Sequence, residues 1–224
     1  MNLTTYPDLL QGTDEWLHLR AGMVTASVVG KLITPKLATA DNDTSRGVIA
    51  TLAAERITGH IDQTYVSADM WRGVEDEPRA RDAYSEHYAP VTECGFMVRH
   101  IAEVIPLGYS PDGLVGDNGL IECKSRQQKK HLQTIISGEV PAENMAQLQC
   151  GLLVSGREWI DYVSYCGGMP LWVKRIEPDP AWFDAITDAT VTAYGQIAHI
   201  VNQWPFLTDG LPETARIEHE EIVI

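Results

Sequence analysis

Asp112, Glu122 and Lys124 stand within one stretch, Ser110-Pro-Asp-Gly-Leu-Val-Gly-Asp-Asn-Gly-Leu-Ile-Glu-Cys-Lys124. Alternate residues of a strand share a face. A strand over 120–124 therefore puts Glu122 and Lys124 on one side, with Ile121 and Cys123 on the other. The turn signal Asp117-Asn118-Gly119 folds the chain back and lets Asp112 lie beside Glu122. Two carboxylates offer the hard oxygen ligands that Mg²⁺ takes. Such a metal activates a bound water and stabilises a leaving oxygen. A neighbouring ammonium orients that water or offsets charge growing on a phosphate. The chemistry that fits is metal-assisted phosphodiester hydrolysis. The spacing is loose, and a polar hairpin with a surface Glu–Lys pair would share it. The apolar neighbours of Glu122 and Lys124 favour a site, because ionised groups in a buried strand are costly without a partner or metal.

Other polar residues stand where they could complete such a site. Glu77 lies in Arg72-Gly-Val-Glu-Asp-Glu-Pro-Arg-Ala-Arg81. On a helix Glu75, Asp76 and Glu77 cannot all face one way, so at most one reaches the metal and the rest are solvated. Gln147 and Gln149 lie in a mostly apolar helical run, where a glutamine can hydrogen-bond a phosphate or a metal-bound water as readily as it can face solvent. Arg20, Thr25 and Ser27 cluster near a helix start. A guanidinium, a hydroxyl and backbone N–H groups there suit a phosphate; a plain cap with a surface arginine is the alternative.

The elements that must position these groups follow from periodicity and punctuation. Helices are expected over 14–20, 25–33 with Thr25 as N-cap, 45–58, 67–88 with breaks near Gly73 and Pro78, 125–137, 142–155 and 180–203. Strands are expected over 91–100, 102–108, 120–124, 159–166 and 171–176, and a loop over 34–45. This order predicts an α/β or α+β fold, a small mixed β-sheet flanked by helices. The 224 residues fit one domain spanning 1–224.

Composition narrows the class. No apolar run is long enough to cross a membrane, and the N-terminus lacks a secretory signal, so a cytoplasmic protein without a membrane partner is expected. The four cysteines have no Cys-x-x-Cys spacing, which reads as reduced core residues and argues against a zinc or iron–sulfur centre. The net charge of −14 argues against simple electrostatic wrapping of nucleic acid. The cations nearest the motif, Lys124, Arg126, Lys129, Lys130 and His131, are the densest basic cluster and could offset that acidity locally.

Taken in order, Trp16-x-x-x-Arg20-x-Gly22-x-x-Thr25-Ala-Ser27, Gly73-x-x-x-Glu77, Ser110-Pro-Asp-Gly-Leu114, Leu120-x-Glu122-x-Lys124 and Met145-Ala-Gln147-x-Gln149 resemble the phage lambda exonuclease family. These alkaline exonucleases, or viral recombinases, belong to the PD-(D/E)xK nuclease superfamily. The resemblance covers about residues 14–175. It implies a restriction-endonuclease-like core. It implies that Asp112 and Glu122 bind Mg²⁺ with the Cys123 carbonyl, that Mn²⁺ substitutes, and that two metals bind when DNA is present. Lys124 would be the catalytic lysine, and Glu77 would help place the water or the second metal. Arg20, Thr25, Ser27, Ser110 and Gln147 would hold a 5′ phosphate. Met70, or Trp71 beside it, would be a wedge that splits terminal base pairs. The family's activity is 5′-to-3′ degradation of one strand of linear double-stranded DNA with phosphorylated ends. The 3′ overhang feeds recombination through a single-strand annealing protein, and the enzymes form homotrimeric rings in a phage- or prophage-bearing bacterial cytoplasm. The chain departs from the pattern at Asn144, where lambda exonuclease has a tyrosine, in a shorter N-terminus, and over 34–45.

Two other readings compete. A structure-specific or restriction-type endonuclease would use the same carboxylates but has no need of a terminal-phosphate pocket. A DNA-end-binding module without catalysis would not need Asp112, Glu122 and Lys124 together.

Overall fold

A computed structural model describes residues 3–62 and 67–216. Strand β1 (Leu3–Tyr6) leads to helix α1 (Asp14–Arg20), whose first turn is capped by the Thr13 hydroxyl. A short helix α2 (Ala26–Val29) runs into a 3-10 turn at Gly30–Leu32. Helix α3 (Asp43–Thr58) starts at Asn42, where Asn42 and Ser45 cap each other reciprocally. Helix α4 (Ala68–His87) follows. Then come β2 (Val91–Thr92), β3 (Phe96–Ile101), β4 (Ile105–Tyr109), β5 (Gly113–Val115) and β6 (Gly119–Ser125). Helices α5 (Gln128–Ser137) and α6 (Ala142–Ser155), the pair β7 (Trp159–Tyr165) and β8 (Trp172–Ile176), and helix α7 (Pro180–Leu207) complete the order.

The strands make two sheets rather than the single small sheet expected. One is antiparallel, in the order β1-β3-β4; the other is mixed, in the order β2-β5-β6-β7-β8. Among the described strands only β6 and β7 run parallel, Gly119 to Ser125 opposite Trp159 to Tyr165, and α5 and α6 make the crossover that a parallel pair requires. The predicted strand 91–100 is two strands, because Glu93–Gly95 leaves one sheet and enters the other. Gly95 N–H donates to the Pro7 carbonyl at 3.1 Å.

The larger apolar core joins α2, α3, α6 and α7 to one face of the mixed sheet, with Leu120, Ile160, Tyr162, Leu148, Leu152 and Ile186 fully buried. A smaller core lies on the opposite face, where Ala80 and Tyr84 of α4 meet Ile121, Cys123 and Val163. The alternation along β6 is the one expected: Leu120 goes to one core, and Ile121 and Cys123 go to the other. Sheet with helices on both faces is the predicted α/β class.

Helix α4 runs without a break through Gly73 and Pro78, contrary to the expected interruptions. Pro78 is exposed, so its ring sits on the solvent side, where a helix can bend away from its core. Among the described residues no helix is long and apolar enough to cross a membrane.

Candidate nuclease site

Strand β5 begins at Gly113, which pairs with Ile121. Strand β6 continues past it, so its edge is open at Cys123. The Cys123 N–H is taken there by Asp112 Oδ2 at 2.7 Å. A strand residue's N–H and C=O point to the same side, so the Cys123 carbonyl also faces the Asp112 side. Gly113 fits this corner only without a side chain, since a Cβ would lie 2.2 Å from Val91 Cγ1.

On the next pleat Glu122 is 1% exposed and accepts three side-chain hydrogen bonds. Its Oε1 accepts from Lys124 Nζ at 2.6 Å and from Gln147 Nε2 at 2.6 Å. Its Oε2 accepts from the Tyr109 hydroxyl at 3.3 Å. Gln147 reaches it from α6, held against β4 by Gly151, where a Cβ would sit 2.8 Å from the Tyr109 ring. Burial pushes the Tyr109 phenol well above its ordinary value, with Glu122 adding to the shift, so Tyr109 remains a donor.

Glu77 joins this cluster from α4. Its Oε1 accepts from Arg81 NH1 at 2.5 Å, and the same guanidinium nitrogen donates to the Asp112 carbonyl at 3.3 Å. Burial raises the Glu77 carboxyl; Arg81 opposes that shift and Glu122 adds to it. Burial and then Glu122 push Asp112 well above the usual carboxylate range, against Lys124. Burial opposes the charge on Lys124, but Glu122 and Asp112 outweigh it and its ammonium is held more firmly than usual. Lys124 is therefore a cation and a hydrogen-bond donor in this state.

The cluster is short of positive charge. Three carboxylates, the raised Asp112 among them, and an open-edge carbonyl are a hard-oxygen donor set of the kind that a divalent cation satisfies. Among the described residues no three His, Cys, Asp or Glu side chains are gathered closely enough to hold a metal ion by themselves. Two carboxylates and a main-chain carbonyl make a more open set, and Asp112, Glu122 and Cys123 fit it.

A second polar cluster lies alongside. Gly22, at φ 66°, turns the chain out of α1 in a conformation that favours glycine. Its N–H donates to Glu55 Oε2 at 2.7 Å and its carbonyl accepts from Arg56 Nε at 2.8 Å. This anchoring to α3 carries the chain into a bridge between Thr25 and Gly108 of β4. Arg20 NH2 then lies 3.4 Å from Thr25 Oγ1 and 3.5 Å from Ser27 Oγ. The Arg20 guanidinium stacks 3.8 Å over the Trp16 ring, and Trp16 Nε1 donates to Ser110 Oγ at 3.1 Å. Among the described residues no carboxylate lies within ion-pair distance of Arg20. Burial pulls its pKa down to about 10, with Glu55 opposing from beyond ion-pair distance, so it stays charged at neutral pH.

The expected residues divide in this way. Asp112, Cys123, Glu122, Lys124 and Glu77 converge. Arg20, Thr25, Ser27 and Ser110 form the second group. Gln147 contacts Glu122 rather than that second group. Thr25 begins α2 but makes no side-chain cap, because its hydroxyl is engaged with Arg20 and Ser27. Met70 and Trp71, on the first turn of α4, are 50% and 60% exposed, so neither is a core residue. The expected basic cluster is partly dismantled: His131 is buried, with Nε2 donating to the Pro170 carbonyl and Nδ1 bonded to Ser164 Oγ. Arg126 is spent on Tyr162 and Asn144. Sequence reasoning missed Tyr109, Arg81 and Trp16 as site residues. Arg81 had a signal, four residues after Glu77 on one helix face.

A family model of YqaJ-like viral recombinase domains matches residues 15–158. The chain belongs to that family. The alkaline exonuclease of Laribacter hongkongensis is 33% identical to this chain, with a TM-score of 0.79 over 89% of this chain and 100% of the other. Its structure in complex with dAMP gives 32% identity and a TM-score of 0.78 over the same shares. A phage-related exonuclease from Haemophilus somnus 129PT shares the fold at 12% identity and a TM-score of 0.62, covering 81% of this chain and 96% of the other. Comparison with curated proteins gave no match.

Proposed function

We propose that this YqaJ-family chain is a Mg²⁺-dependent exonuclease that degrades one strand of linear duplex DNA from 5′-phosphorylated ends, 5′ to 3′. The observation that carries the reading is the adjacency of two clusters. One is a corner where three carboxylates face only Lys124 and Arg81, the other is an arginine with no carboxylate at ion-pair distance, and Ser110 lies two residues before Asp112. The resemblance of this family member to the Laribacter alkaline exonuclease supports the class of activity.

Asp112, Glu122 and the Cys123 carbonyl would hold the metal. When bound, Mg²⁺ supplies Lewis acidity and charge neutralisation at the scissile phosphate. Glu122 is fixed for that task by Tyr109, Lys124 and Gln147, so little reorganisation is needed. Lys124, as an ammonium, donates hydrogen bonds towards the attacking water and the phosphate oxygens. Arg81 holds Glu77 and the Asp112 carbonyl together, which keeps the third carboxylate at the rim. Arg20, Thr25, Ser27 and Ser110 take the terminal phosphate through charge-assisted hydrogen bonds. The exposed Met70 and Trp71 are candidates for separating the terminal pairs. Mn²⁺ substitution, a second metal with DNA, a homotrimeric ring and a single-strand annealing partner belong to the same reading.

The test is digestion of linear duplex in Mg²⁺, with 5′-phosphate, 5′-hydroxyl and covalently closed circular substrates compared. Rapid loss of the phosphorylated strand with intact circles is expected. Nicked circles would move the same residues into an endonuclease. Binding without cleavage would leave an end-binding module.

A further inference from the structure

Trp16 ties Arg20 to Ser110, which stands two residues before Asp112 in the chain. Its ring face carries the Arg20 guanidinium at 3.8 Å, and its indole N–H donates to Ser110 Oγ at 3.1 Å. Ser110 begins the turn that ends in Asp112, and Asp112 is fixed at its other end by the Cys123 N–H. The indole is half-buried and sits on α1, whose cap Thr13 accepts from the Trp16 N–H at 3.4 Å. A rigid aromatic ring with one donor thus spans the gap between Arg20 and the turn that carries the first carboxylate. Stacking leaves the guanidinium edge open to an anion, because the ring occupies its face and not its N–H groups.

The geometry points to Trp16 as a positioning residue that transmits occupancy of the Arg20 cluster to the Asp112 turn. A terminal phosphate would then do more than bind: it would set the register of the carboxylate corner and speed the first cleavage. This inference rests on the reading of the Arg20 cluster as a phosphate pocket. The two parts of the indole separate its roles. Its ring holds Arg20, and its N–H holds Ser110.

Trp16→Phe keeps a ring under Arg20 and removes the N–H. The measurement is the single-turnover rate at saturating enzyme on 5′-phosphorylated and 5′-hydroxyl duplexes, with affinity for both ends measured in Ca²⁺. In Trp16→Phe the phosphate preference in binding should persist, while the ratio of the two cleavage rates should fall about five- to tenfold, the worth of one hydrogen bond. The ratio compares two ends on one preparation, so a partly unfolded variant does not move it. An unchanged ratio in Trp16→Phe overturns the coupling while leaving the pocket in place. A wild-type protein that binds and cuts both ends equally overturns the pocket reading and the coupling with it.

Discussion

Gln147 Nε2 donates to Glu122 Oε1 at 2.6 Å, the oxygen that also accepts from Lys124 Nζ. A glutamine in that position orients Glu122, the proposed metal ligand, rather than a substrate. Groups that orient ligands typically cost about 10–100-fold when removed. Gln147→Ala should lower cleavage by about that factor at limiting Mg²⁺ and recover in part as Mg²⁺ is raised. Its preference for 5′-phosphorylated ends should stay near wild type. A variant with normal Mg²⁺ dependence and no end preference would put Gln147 in the phosphate pocket instead.

Asp112 carries a cost in the metal-free protein. Its folded pKa is raised by burial and by Glu122, so the folded state binds its proton more tightly than the unfolded chain does. That contribution to stability is fully present below the ordinary aspartate pKa of about 4 and is lost as pH rises through the raised value. Asp112→Asn removes the charge and keeps an oxygen for the Cys123 N–H. In EDTA at pH 8 it should melt above wild type, by about 2–4 °C for each kcal/mol relieved, and the gap should close near pH 4. The same variant should abolish cleavage. Mg²⁺ should raise the melting temperature of wild type, by linkage, and leave Asp112→Asn unmoved. Equal melting of the two proteins at pH 8 would remove Asp112 as the strained carboxyl.

Gly108 sets how closely the Thr25 segment approaches β4. Its N–H donates to the Val24 carbonyl at 3.0 Å, and a Cβ there would meet Phe96 Cζ at 2.6 Å and Thr25 Cγ2 at 3.1 Å. Gly108→Ala should cost about 1–3 kcal/mol by overpacking, read as a lower urea midpoint at constant slope. It should also weaken 5′-phosphate preference, because Thr25 and Ser27 move with the segment. An unchanged midpoint would mean that Met23 and Phe96 give way freely.

The hairpin from Asp112 to Lys124 was legible because period-two alternation and a turn signal are local. So were α1, α6 and β7, whose apolar runs have clean ends. The pairing of β1 with β3 was not, since Leu3 meets Arg99 far along the chain, and single-chain patterning says nothing about which edge a strand will find. Helix α4 defied its local signals because Ala80 and Tyr84 bury against β6 and β7, and tertiary packing overrides the propensity cost of Gly73 and Pro78. Spacing placed Gln147 on a helix face but could not name the neighbour. His131 looked basic by its sequence neighbours and is a buried, doubly bonded core group.

Asp161 tests the distinction between an ionic group that catalyses and one that only holds. It is 3% exposed and one residue before Tyr162 on β7, the strand beside β6. Both its oxygens accept from Arg175, at 2.8 and 2.9 Å, and Oδ2 accepts from the Tyr84 hydroxyl at 2.6 Å. Arg175 also stacks 3.5 Å over Trp159. All its partners are satisfied and none belongs to the carboxylate corner, so its work is to pin α4 to the sheet. Removing one member of a buried pair costs about 3–5 kcal/mol. Arg175 is half-exposed, so water can take over its side and the lower end of that range applies. Asp161→Ala should lose about 3 kcal/mol in urea denaturation while its cleavage rate per folded molecule stays within twofold of wild type. A folded Asp161→Ala protein that cuts more than tenfold slower would mean that α4, and Glu77 with it, depends on this pin for its place at the site.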